Sequence, residues 1–325
     1  MAISEFDLDP ALVRDLEVLL DTNDLLDWLD RQAERLAELG FTRGQGVRFN
    51  AALQKARNIE YISPGSIIGE HACIISGMNG YVIHYNDKIP RDRRRFAIAH
   101  EIGHTFFFDS RELGKPISRL QINASNAATI EHLCDFFARA LLLPRRHIED
   151  AVGKSGDFTV PPLHFVPALA REYQVAEQAV ARRLLYQLFP RRVAILRLRK
   201  HAVLVKGQPA VGTWKISWCA VPWDLRKANS VAGIRIPFRT SSREIPNEMV
   251  PDRLTRLTEH CKLDGRWWEG LTAQGKEESR TPFKSRSPKV VGDAFIYRTE
   301  LSEGPSLYEQ PAVTEIVYLA LPLQA

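Results

Sequence analysis

Apolar residues recur at helical spacing from the start of the chain. Asp9 offers an N-cap and Pro10 suits the first position of a helix. Leu16, Leu19 and Leu20 follow, then, past a polar break at Asp21–Asp24, Leu26, Trp28 and Leu29. This pattern predicts helix over 9–40 with Gly40 as its C-cap. The period then shortens to two. ACIISG (72–77) and GYVIHY (80–85) are short β-branched or aromatic runs, and Asn79-Gly80 between them predicts a hairpin. Helical spacing returns over 91–108, apolar on most sides and therefore expected to be buried. A second strong helix is expected over 130–143, stopped by Pro144.

The Gly, Ser and Pro content of GKSGDFTVPP (153–162) predicts a linker. Two short helical segments follow, about 165–173 and 176–188. Beyond Pro190, the runs VAILRLR, HAVLV, TWKISWCAV, DAFIYRT and TEIVYLALPL read as strands of a separate α/β domain, with polar residues 275–289 as a loop within it. The expected fold class is α+β, with domains at 1–152, 153–190 and 191–325.

Composition narrows the function classes. The chain has 325 residues, 45% hydrophobic and 26% charged, which supports a sizeable core and excludes a collagenous, wholly disordered or disulfide-dense protein. Lys and Arg exceed Asp and Glu by 44 to 39, a mild positive charge that admits an acidic partner without demanding one. The four cysteines, at 73, 134, 219 and 261, include no CxxC pair and read as reduced thiols. The acidic N-terminus lacks the order of a signal peptide, and no window approaches the ~18 apolar residues of a membrane span. The expectation is a soluble cytoplasmic protein.

His100-Glu101-Ile102-Gly103-His104 is an HExxH pattern. On a helix, i and i+4 lie about 40° apart, so both imidazoles can reach one ion. Glu101 lies about 100° round, where a base must sit to take a proton from water at the metal. Phe96, His100, His104 and Phe107 share one stripe, which turns the histidines inward. Two buried imidazoles satisfied by core carbonyls are the competing reading; their burial without partners is costly. A catalytic zinc needs a third protein ligand and an open position. Glu131 is the candidate, because it borders the apolar stripe formed by residues 130, 133, 134, 137, 138 and 141. Its competing use is to complement the dipole at the start of its helix. Asp135 borders the same stripe and could hold His100 in its metal-binding tautomer. The ligand set suits Zn2+ and admits Mn2+.

RRFAIAHEIGH (94–104) followed by EHLCDFFARALLLP (131–144) resembles the ImmA/IrrE family of bacterial zinc metallopeptidases. Arg94, Phe96, Ala99 and His100 to His104 match one family segment; Glu131, Asp135, Phe137, Ala138, Leu141, Leu142 and Pro144 match the other, with Cys134 where Ala is usual. The resemblance implies a zincin-like fold with an HExxH helix and a small sheet. It implies His100, His104 and Glu131 as metal ligands and Glu101 as catalytic base. It also implies a substrate, an XRE-type helix-turn-helix transcriptional repressor whose cleavage releases stress-response or mobile-element genes.

Length and order resemble the family's radiation-response branch, which implies a helix-turn-helix-like module followed by a GAF-like sensor. Ala170, Tyr173, Val175, Val180 and Leu184 fall at helix-turn-helix core positions, with Gln174 where the turn glycine is usual. Arg182, Arg183, Arg191, Arg192, Arg197 and Arg199 could contact DNA phosphates; a structural helical hairpin with solvated arginines is the alternative. A substrate strand is expected to add beside residues 80–85. The leading function is thus a zinc endopeptidase. The rivals are a DNA-binding regulator with a non-catalytic peptidase-like domain, and a zinc hydrolase of a non-peptide bond.

Overall fold

The computed structural model describes residues 8–42, 44–65, 67, 70–108, 126–152, 163, 165–185, 193–205, 208–220, 244–245, 295–300 and 313–322. The expected linker at 153–162, the polar loop at 275–289, and Arg191 and Arg192 lie outside them. The chain divides into two compact units, 1–156 with 165–183, and 157–164 with 184–325. The stretch expected as a module, 153–190, is therefore shared between the two. No described helix is long and apolar enough to cross a membrane.

In the first unit, the polar break at Asp21–Asp24 separates two helices, α1 (Pro10–Leu19) and α2 (Leu25–Gly40). Asp9 caps α1 by accepting from the Ala11 and Leu12 N–H groups. Asp21 takes a left-handed turn at φ 49, and Asp24 caps α2 by accepting from Asp27 N–H. The local signals were those of a start, a turn and a second start. Gly40 ends α2, but not as a left-handed cap. A Cβ there would stand 2.1 Å from the Arg48 carbonyl oxygen, so glycine is needed for close approach of two backbones.

A two-stranded ribbon, β1 (Phe41–Thr42) and β2 (Gly46–Val47), leads to α3 (Ala51–Ala56). Next come β3 (Ile59–Pro64), β4 (Ala72–Ser76) and β5 (Tyr81–Tyr85), in the spatial order β3-β5-β4. The expected hairpin is β4–β5. It closes on Gly77 N–H donating to the Gly80 carbonyl, which leaves Met78-Asn79 as its two-residue loop. β3, a strand not expected from the sequence, pairs parallel with β5. This corrects one expectation. β5 is central and paired on both sides, so residues 80–85 have no open edge for a substrate strand.

The open edge nearest the histidines belongs to β4. Asn86 N–H donates to the His71 carbonyl, and Gly77 N–H donates to Gly80. In an antiparallel ladder the backbone groups alternate sides. His71, Cys73, Ile75 and Gly77 therefore face β5, while Ala72 and Ile74 present N–H and C=O groups to the outside.

α4 (Arg91–His104) and α5 (Ala127–Leu142) pack side by side, and α2 packs against α5. Leu29, Ala33, Ala99, Ile102, Leu133, Phe137 and Leu141 are fully buried among them. α6 (Arg145–Val152), α7 (Phe165–Tyr173) and α8 (Glu177–Arg183) complete the unit. Gln174 makes the turn between α7 and α8 at φ 55, the left-handed geometry that glycine usually supplies.

Three of the arginines named above or flanking the motifs are buried: Arg183, Arg95 and Arg197. Arg197, expected to be free for phosphates, is thus covered, at 6% exposure. Arg183 has no exposed surface; its Nη2 lies 2.6 Å from Asp30 Oδ1, and its Nε donates to the Leu143 carbonyl at 2.9 Å. Asp30 also accepts from Arg145 Nε at 2.9 Å. Arg183 is thus a strut between α8 and α2 and cannot contact phosphates. Arg95, near the start of the histidine helix, is buried and donates to the Val47 carbonyl at 2.9 Å.

In the second unit, β6 (Val193–Val205), β7 (Gln208–Ala220), β8 (Glu244–Ile245), β9 (Phe295–Glu300) and β10 (Val313–Pro322) form an antiparallel sheet. Its order is β8-β7-β6-β10-β9. The runs VAILRLR and HAVLV, expected as two strands, are one strand whose pairing with β7 shifts register near His201.

Candidate active site

The histidine pair sits on the last turn and a half of α4, and the acids sit on the facing side of α5. Glycine allows this approach. A Cβ on Gly103 would stand 3.1 Å from the Cys134 Cα and 3.2 Å from its Cβ. Gly103→Ala is expected to be nearly neutral, since tightened packing is offset by about 1 kcal/mol of helix propensity. Gly103→Val carries branched bulk into the same seam. It is expected to cost about 1–3 kcal/mol in thermal unfolding and to weaken zinc binding by prying α4 from α5.

His100 Nε2 and His104 Nε2 are 3.2 Å apart. Glu131 Oε2 lies 3.1 Å from the former, and Oε1 lies 3.5 Å from the latter. Two donors each about 2.0–2.1 Å from a tetrahedral ion stand roughly 3.3 Å apart. A single divalent ion can therefore reach all three. On the far side of the His100 ring, Nδ1 donates to Asp135 Oδ1 at 3.0 Å. A carboxylate can only accept, which fixes the proton on Nδ1 and turns the Nε2 lone pair toward the ion position. Asp135 in turn lies 3.8 Å from the Arg139 guanidinium.

Cys134 offers another donor: its sulfur and the histidine nitrogens all lie within 4.8 Å of one another. Burial, then the charges of Glu131, Glu101 and Asp135, push this thiol well above its ordinary range. A fully buried neutral thiol is a weaker third donor than an accessible carboxylate. For Glu131, the His100 hydrogen bond outweighs burial and holds the carboxyl below its usual range.

The other groups are tuned by the same neighbours. Burial pushes His100 down, but its bonds to Asp135 and Glu131 prevail and carry it up to about 9. Burial and the His100 charge push His104 down to about 4. For Asp135, burial pushes up, while the His100 bond and Arg139 prevail and hold it low. Glu101 is pushed up to about 7 by burial, reinforced by Glu131 and Glu70 and opposed by His100. Its carboxylate accepts a hydrogen bond from Ile74 N–H on the open edge of β4. Asp135→Ala is expected to weaken zinc binding about 10–100-fold, measured by chelator competition, because His100 loses the acceptor that orients it.

A cavity of about 450 Å³ opens beside His100 and Glu101. Its lining includes His71 and Ala72, where β4 begins, and Gln178, Ala179 and Arg182 of α8. The structure thus brings together His100, Glu101, His104, Glu131 and Asp135, all five residues singled out by the sequence. His84 is not among the cavity's lining residues; its Nδ1 lies 3.2 Å from Ser63 Oγ. His71 and the α8 wall were missed, because no spacing rule links them to the histidine helix.

Residues 56–185 match the Peptidase M78 family model, described as an IrrE N-terminal-like domain. No curated protein matches this chain. Among solved structures, the chain is similar to one described as a Mycobacterium tuberculosis transcriptional regulator, at 17% identity and a TM-score of 0.39. That similarity covers 90% of this chain and 76% of the other.

Proposed function

From the premise that residues 56–185 belong to the ImmA/IrrE family, we propose that the chain is a zinc-dependent endopeptidase. Its substrate in this reading is a helix-turn-helix transcriptional repressor, whose cleavage switches on stress-response or mobile-element genes. The single observation that carries the peptidase reading is the convergence of His100 Nε2 and His104 Nε2, 3.2 Å apart, on the Glu131 carboxylate, one oxygen 3.1 Å from the first and the other 3.5 Å from the second, with Glu101 on the same helix as the histidines.

His100, His104 and Glu131 would hold the ion, and Mn2+ is admitted by the same donors. The ion, when bound, supplies Lewis-acid polarisation of a carbonyl and acidifies water. Glu101 supplies the base. Its carboxylate takes the proton of the attacking water and delivers it to the leaving amine. Ile74 N–H orients that carboxylate. The outward N–H and C=O of Ala72 and the C=O of Ile74 can pair with an extended substrate segment, so β4 replaces residues 80–85 as the docking strand. Asp135 keeps the His100 ring in place.

In this reading the α7–α8 pair is the family's helix-turn-helix-like element and 191–325 is a GAF-like sensor, which the antiparallel sheet of the second unit supports. The location is cytoplasmic. The experiment is incubation of the zinc-loaded chain with the repressor encoded nearest to its gene, followed by mass analysis. Cleavage into two defined fragments is expected. Intact repressor at every tested metal rules out this substrate.

A further inference from the structure

We infer that the α7–α8 hairpin is the specificity wall of the substrate cleft, and that Arg182 selects an acidic side chain near the scissile bond. The inference rests on the peptidase reading proposed above and goes beyond it by naming what the cleft accepts.

The residues of α8 divide by side. Val180, Ala181 and Arg183 are buried, with Arg183 tied to Asp30. Gln178, Ala179 and Arg182 face the cavity that holds His100 and Glu101. In a helix-turn-helix the second helix must present an exposed face to the DNA groove. Here that helix spends one face on its strut and another on the cleft.

The cavity has the form of a side-chain pocket. Phe96 of α4 and Val175, Ala176 and Ala179 supply apolar wall, suited to a methylene stem. Arginines stand around it. Arg139 is already next to Asp135 at 3.8 Å, so its charge is shared. Arg182 forms no ion pair with a described carboxylate, and its charge helps to hold Asp135 low. Two of the three acids that line the cavity are engaged, Asp135 by His100 and Glu101 by Ile74 N–H; the third, Asp92, and a further cation, Arg93, stand on the first turn of α4. An apolar wall with an uncommitted guanidinium suits a glutamate, whose carboxylate accepts a paired, charge-assisted hydrogen bond.

The test uses the full zinc-loaded chain and a mixed peptide library prepared from a digested bacterial proteome, with cleavage sites read by mass spectrometry. Wild type is expected to enrich Glu or Asp at one fixed position beside the cut. Arg182→Gln should erase the bias. Arg182→Glu should turn it toward Lys and Arg, a change of about tenfold to a hundredfold in relative cleavage. Cuts at peptides uncharged at that position should persist in both variants, which reports an intact fold and site. An acidic bias unchanged in both variants overturns the inference. A second arm measures retention of the same library on Glu101→Gln and on the Glu101→Gln/Arg182→Glu double variant. Acidic peptides retained by the first and lost by the second support the inference even if wild type cuts nothing, an outcome that would sink the peptidase reading alone. Equal retention by both overturns it.

Discussion

Glu101→Gln is expected to keep its fold and its zinc and to lose peptide cleavage by about 10²–10⁴-fold. Glutamine matches glutamate in size, and its amide oxygen can still accept from Ile74 N–H. It cannot take a proton. The donor atoms of His100, His104 and Glu131 are untouched, so zinc content by elemental analysis should equal that of wild type. The measurement is the rate at which repressor fragments appear. The same variant separates the peptidase from its rival. A catalytic protein loses gene activation with the carboxylate, whereas a DNA-binding regulator that uses this domain as a scaffold activates unchanged.

The largest expected loss of stability lies far from the histidines. Asp30→Ala is expected to destabilise the first unit by about 3–5 kcal/mol. Asp30 is 3% exposed and is the carboxylate partner of Arg183, which has no exposed surface. Removing the acid strands a guanidinium in the core, and burial already pushes its pKa down. An arginine cannot escape by deprotonating near neutral pH, so the unit must open or distort. Arg145 suffers less, because its side chain is 39% exposed. The double variant Asp30→Leu/Arg183→Met removes both charges at similar volume and should recover most of the loss. Hydrogen exchange at the α2 amides and urea unfolding measure both. Similar damage from the double and single variants would mean that shape, not charge, holds α8 in place.

The five site residues were legible for a local reason. His100 and His104 are one turn apart whatever surrounds them, and the helix itself sets the angle between them. Glu131 and Asp135 could be picked out because they flank an apolar stripe whose burial could be foreseen. Their meeting with His100, at 3.1 and 3.0 Å, needed the second motif to suggest it and the packing of two helices through Gly103 to bring it about. The hairpin of β4 and β5 was equally local. Its open edge was not, because the parallel partner β3 comes from outside the hairpin and covers β5.

By itself the sequence determined the main helices, the hairpin and the one-turn spacing of His100 and His104, since each follows from spacing along one stretch of chain. The tertiary structure alone decided which faces are covered. Arg182 and Arg183 are neighbours with the same chemistry, yet one lines the cleft and the other is sealed against Asp30. About 100° of helix separates them, and what waits at each angle is set largely by residues 40 or more positions away in the chain.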